Sequence, residues 1–271
     1  MVAINWMAYI FMVATNMMAV MLPLNQMDTG AISALYPNKF VPAGFTFAIW
    51  GLIYLLLLAH LVFCTWTLRL PLAARGTSGA LIAAIHPLFV LSCAFNAGWL
   101  VAWHYLQVPL SLGIMLGLFG CLLAIFNRIS RSEKTCALTY IQHVTLETPF
   151  IIYFAWINVA LMANTSALLV HAGWEGIPLQ AWQWSCILIG TAAAVGIWMA
   201  LYWLRPAFTA VIVWALFGVY SAQAPGNASI GQVALAAMAA CVVAAAIGFW
   251  KKRSLVLNNV QPSRSKRRFL Q

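Results

Sequence analysis

Three groups of side chains in this sequence have types and spacings that suit recognition chemistry. The first lies in residues 37–58, where a turn-rich stretch with Pro37, Pro42 and Gly44 runs into an apolar helix carrying Trp50 and Tyr54. Residues four apart share a helix face, so an indole and a phenol point the same way beneath an ordered loop. That pairing suits the wall and lid of a site for a flat, aromatic-seeking ligand, although Trp and Tyr also mark a membrane interface. The second group is Ser92, Asn96, Trp99 and Trp103, spaced four, three and four, which makes one helical stripe. In the third, Tyr153, Trp156, Ala160 and Asn164 fall within one quadrant at about 100° per residue, with Glu147, Ile151 and Asn158 nearly opposite. A helix occupied on two faces belongs between two groups of helices.

Proton or metal chemistry has few agents here. The chain holds only four acids, and no nucleophile–base set, phosphate-cradling glycine loop or nucleotide motif is present, so enzyme activity is not expected. Glu147 is the one acid that the sequence places inside an apolar run, a turn from His143 and just before Pro149. An intramembrane carboxylate invites a functional reading. The pair suits a structural or interface role first, satisfied by water or by Arg128 and Arg131, then a proton site, and last a metal. The six cysteines stand singly with no CxxC, as small packing residues do. His60 reads as a hydrogen-bonded packing histidine. Asn227-Ala228-Ser229 matches a glycosylation sequon of little weight in so short a loop.

The elements that must position these groups are membrane helices. The chain is 64% hydrophobic and 7% charged over 271 residues, and a bilayer crossing needs roughly 20 apolar residues. Eight runs qualify: about 5–24, 45–68, 81–103, 108–127, 144–168, 184–203, 207–222 and 231–250. They are continuous rather than alternating, which selects helices over a barrel. The fold class is therefore all-α: a polytopic membrane protein with eight transmembrane helices. With both termini cytoplasmic, thirteen of the fourteen Lys and Arg residues fall on the inner side and only Lys39 on the outer, as the positive-inside rule asks. The first run lacks the basic start and cleavage site of a signal peptide and reads as a retained helix. Its Asn5 and Asn16 turn it toward neighbouring helices. Helix three is read as starting after His86-Pro87, and Gly113, Gly117 and Gly120 suit close helix contact in helix four. Residues 1–170 are expected to form a five-helix bundle, 171–250 a three-helix extension that looks like scaffolding, and 251–271 a basic cytoplasmic tail, disordered after about 254. After a membrane span that tail suits anionic lipid rather than nucleic acid.

Topology also fixes depth. Trp50, Tyr54, Trp99, Trp103 and Asn164 fall in the outer half of the bilayer, with Asn96 and Trp156 near its middle. Five rings and two amides from three helices thus share one level under the longest outer loop, and pockets are commonly aromatic-lined with a few polar groups.

Over residues 5–168 the chain resembles the translocator protein or tryptophan-rich sensory protein (TspO/MBR) family. The resemblance rests on the Pro-containing loop leading to Trp50-Gly51-Leu52-Ile53-Tyr54, on Asn96-x-x-Trp99, and on Trp156 with Asn164 eight residues on. It implies a five-helix bundle, often dimeric, that binds porphyrins and other flat hydrophobic ligands. It further implies that Trp50, Tyr54, Asn96, Trp99, Trp156 and Asn164 line the pocket; depth adds Trp103. A porphyrin or haem entering from outside would meet Lys39 with a propionate, and His104 would reach such a ligand or face water. The family's double proline is only Pro42-Ala43 here, its acid early in helix four is missing, and its sterol-recognition pattern is absent. The leading expectation is a membrane receptor, sensor or carrier for a tetrapyrrole-type ligand, in a bacterial inner membrane. The alternatives are a proton-coupled transporter using Glu147, and a non-catalytic subunit of a larger membrane complex.

Overall fold

The computed structural model describes residues 1–22, 24–135 and 138–260. Cys136 and the tail residues Arg264, Lys266, Arg267 and Arg268 lie outside the described residues, and with them most of the tail's lipid-binding reading. Among the described residues there is no strand, and eight helical segments are long and apolar enough to cross a membrane. The fold is all-α and the protein is an integral membrane protein.

The spanning helices are α1 (Val2–Met21), α3 (Ile49–Arg69), α4 (Gly76–His104), α5 (Val108–Thr135), α7 (Thr148–His171), α8 (Ala181–Leu201), α9 (Pro206–Gln223) and α10 (Ala228–Val260). A short helix α2 (Thr29–Ala34) sits in the first long connection, where Asp28 caps it by accepting from the Ala31 amide at 2.8 Å. A single turn α6 (Tyr140–Gln142) and a π-helical turn (His143–Glu147) precede α7. Eight crossings place both described ends on one side, here the basic side; the 22–48 connection is on the other, the loop side.

Three local readings change. Helix α4 starts at Gly76, so Pro87 lies inside it. Proline strips the carbonyl four residues back of its donor, and in lipid neighbouring groups must compensate. Next to Pro87, Arg128 donates to the Ala84 carbonyl and His86 pairs with Asn5 of α1 at 2.5 Å, while the carbonyl that Pro87 leaves without a helical donor is that of Ala83. Of the three α5 glycines only Gly117 meets a neighbour, since a Cβ there would stand 2.7 Å from the Phe95 ring. Helix α10 stays helical to Val260, beyond the expected loss of order near 254.

Helix α1 packs on α4 and α3, α4 on α5, and α5 and α3 on α7. Helices α8, α9 and α10 pack on one another, with α9 lying along α7. Helix α7 is thus shared, as its two occupied faces require: Tyr153 meets Trp50 at 5.9 Å on one side, while Phe154 meets Phe208 of α9 at 5.7 Å on the other.

Candidate functional site

Trp50, at the start of α3, is the hub of a ring network. Its centroid lies 5.8 Å from Tyr54, 5.9 Å from Trp99, 5.9 Å from Tyr153 and 6.1 Å from Trp156. Trp99 stacks on Trp103 at 6.2 Å, and Trp103 meets Tyr36 of the loop at 6.0 Å. Four-residue spacing on α3 and α4 makes the two stacked pairs, and α7 closes the ring from the side.

These side chains surround a cavity of about 40 Å³ lined by Trp50, Trp99, Trp103, Trp156 and Asn164, with Thr29, Pro42 and Phe47 above. Two indole N–H groups in its wall, those of Trp99 and Trp156, are buried and have no acceptor among the described residues. A buried donor without a partner calls for an explanation. Asn164 accepts from Ser111 Oγ at 3.2 Å, and its amide nitrogen has only the Met115 sulfur at 3.9 Å.

Three residues expected at the site, two in the lining and Lys39 at its entrance, do not border this cavity. Tyr54 lies beneath the cavity because Trp50 stacks over it, 21° from parallel. Asn96 is occupied in a polar chain: it accepts from Asn16 of α1 at 2.9 Å and donates to the Tyr153 hydroxyl at 2.8 Å. Lys39 lines a different cleft, because its carbonyl accepts from Ser185 Oγ and draws the loop toward α8. His104 neither faces water nor lines the cavity. It is fully buried, with Nδ1 3.1 Å from the Leu24 carbonyl and Nε2 3.2 Å from Thr29 Oγ1, and so pins the start of the loop.

The rest of the loop is held by the extension, which the sequence reads as scaffolding. The Ala43 amide donates to the Gly218 carbonyl at 2.9 Å, Trp214 Nε1 to the Thr46 carbonyl at 3.0 Å, and Gln223 to the Val41 carbonyl at 3.0 Å. The roof of the cavity is therefore fixed from α8 and α9. The available signal was the presence of Ser185 and Gln223 at the loop-side ends, and Trp214 at the middle, of otherwise apolar helices. Asn227, the sequon residue, is used as the cap of α10, accepting from the Ile230 amide at 3.1 Å.

On the basic side, Glu147 is 3% exposed. It accepts from His143 and pairs with Arg205 Nε at 2.7 Å and with Lys252 at 3.8 Å, while Arg205 also bonds Glu133. The cations come from the extension, not from Arg128 and Arg131, and Glu133 is a second acid that the sequence leaves in a loop. Glu133, His143 and Glu147 bring three ligand atoms within 4.8 Å of one another, but the Arg205 guanidinium already bridges both carboxylates. The cluster joins the five-helix group to the extension.

The π turn above it has a local cause. Pro149 has no N–H, so the Thr145 carbonyl loses its helical donor. His60 of α3 supplies one from Nδ1 at 2.9 Å, packed at 4.8 Å from the Phe150 ring. His60→Leu is expected to cost about 1–3 kcal/mol by leaving that carbonyl unpaired, read as a lower unfolding midpoint in detergent, with His60→Asn recovering part of it. Equal stability of His60→Leu and wild type would show that the bond contributes nothing.

An eight-helix membrane bundle with a ring-lined cavity beneath a docked loop defines the class of protein. The chain matches the family model for TSPO-like protein over residues 2–250, and it belongs to that family. The match runs through the extension rather than ending near residue 168. No curated protein and no solved structure matches the chain. Membership places it among membrane proteins of the sensor, receptor or transporter kind.

Proposed function

We propose that the protein is a membrane receptor or carrier for a flat hydrophobic ligand of tetrapyrrole type, held among Trp50, Trp99, Trp103, Trp156 and Asn164. The loop side faces away from the cytoplasm, in keeping with the positive-inside distribution. The observation that carries this reading is the pair of buried indole donors, Trp99 and Trp156, that lack acceptors in the wall of a ring-lined cavity. Ring faces take a planar apolar body, and the two N–H groups take an acceptor on it. Ligand sites generally measure about 300–1,000 Å³, so at about 40 Å³ this cavity is in a closed form. Binding then requires the roof at Pro42 and Phe47 to lift. Glu147, paired with Arg205 and Lys252, serves as a structural anchor rather than a carrier of protons.

The test is a titration of the purified protein with protoporphyrin, following Trp quenching and the Soret band. Wild type is expected to bind saturably, and the Trp50→Ala, Asn164→Leu double variant at least about tenfold more weakly, a loss of about 1.4 kcal/mol. Equal binding by the two proteins would remove the aromatic cavity as the site.

A further inference from the structure

A second and larger cavity, of about 670 Å³, opens on the loop side between α7 and α8. Its walls are apolar, with Leu161, Met162 and Leu169 from α7 and Leu188 from α8. Trp174 and Trp184 also line it, 5.2 Å apart between centroids. Lys39 from the first loop and Glu175 from the α7–α8 connection complete the lining.

Most of the polar groups around this cleft are satisfied within the protein. Thr165 and Ser166 donate back to the Leu161 and Met162 carbonyls, Ser185 to the Lys39 carbonyl, and Trp184 Nε1 to the Gly176 carbonyl at 2.7 Å. Lys39 and Glu175 differ: among the described residues neither takes part in an ion pair. The cleft therefore combines an apolar body with one unpaired cation and one unpaired anion. Interiors are close-packed, and an unfilled apolar space forfeits its contacts, so within a bilayer this volume favours an apolar occupant. Paired tryptophans are the side chains that settle at headgroup level.

We infer that this cleft holds a zwitterionic phospholipid whose head carries a phosphate and a primary ammonium, with an acyl chain between α7 and α8. The phosphate pairs with Lys39 and the ammonium with Glu175. A head bearing only negative charge meets Glu175 as a like charge, and a quaternary ammonium gives that carboxylate no N–H to accept. The head group is thus selected by charge sign and donor count together. The inference is independent of what the aromatic cavity binds.

The test uses the full chain, purified in mild detergent and stripped of lipid, then titrated with phospholipids of identical acyl chains and ethanolamine, glycerol or choline heads. Retention is counted by native mass spectrometry. One ethanolamine lipid per chain is expected, held at least about tenfold more tightly than the glycerol lipid. The Lys39→Gln, Glu175→Gln double variant should bring the three head groups within about twofold of one another. Thr165→Trp narrows the cleft and should weaken retention of all three, with unchanged circular dichroism reporting an intact bundle. Free phosphoethanolamine, lacking a chain, should not compete. No head-group preference in wild type, an undiminished preference in the double variant, or full retention in Thr165→Trp would each overturn the assignment. So would stoichiometric displacement of the lipid by protoporphyrin.

Discussion

Arg205→Leu is expected to destabilise the protein by about 3–5 kcal/mol, the range for a buried ion pair that loses one partner. Arg205 is 7% exposed and bonds Glu133 of α5 while holding Glu147, before α7, at 2.7 Å. Its removal leaves two acids facing each other with His143 between them and only Lys252, 3.8 Å from Glu147, as a remaining cation. Arg205→Lys should recover only part of the loss, because an ammonium cannot bridge two carboxylates as a planar fork does. Neutralising both acids as well, in Arg205→Leu with Glu133→Gln and Glu147→Gln, should recover most of it, since the cost lies in unpaired charge. The measurement is the unfolding midpoint in detergent. A loss under about 1 kcal/mol for Arg205→Leu is the value of an exposed pair and would show that the cluster does not join the two helix groups.

Gly218→Val is expected to detach the roof of the aromatic cavity. A Cβ at Gly218 would stand 2.0 Å from Thr46 Oγ1 and 2.9 Å from its Cγ2. Thr46 is fully buried and β-branched, so it has little freedom to turn aside. The same contact holds the Ala43 amide on the Gly218 carbonyl, and overpacking of this kind costs about 1–3 kcal/mol. Separation of α9 from residues 43–46 frees the segment carrying Pro42 and Phe47. Stopped-flow Trp quenching with protoporphyrin should then show faster association than wild type. Loss of stability with an unchanged association rate would mean that the roof does not limit entry.

What could be read directly from the amino-acid order was whatever depends on one segment at a time. The eight apolar runs, the charge asymmetry and the two occupied faces of α7 are properties of local composition and of the 3.6-residue period. The convergence of Trp50, Trp99, Trp103, Trp156 and Asn164 followed because alternating topology fixes depth. Pairings between distant segments were not accessible in this way. Arg205 and Glu133 each read locally as inner-loop residues, yet α5 continues to Thr135 and carries the acid to the guanidinium. Lys39 was expected to meet a ligand entering from outside because it is the lone outer cation, and its side of the membrane says nothing about its direction around the bundle. The helix start read at Pro87 also failed: α4 continues on both sides of it, and the groups that tie residues 84 and 86, Arg128 and Asn5, come from other helices.

Helix α7 borders both cavities at once. Trp156, Val159, Ala160 and Asn164 face one and Leu161, Met162 and Thr165 the other, while Pro42 and Phe40, two residues apart in the same loop, do likewise. The two spaces thus share α7 and the first loop as a partition. If one guest shifts that partition, the factor by which it changes the affinity of the other is returned in equal measure, since linkage is reciprocal. Were both proposed guests present and coupled in this way, affinities for the aromatic chamber measured in detergent and in membranes would differ by up to that factor.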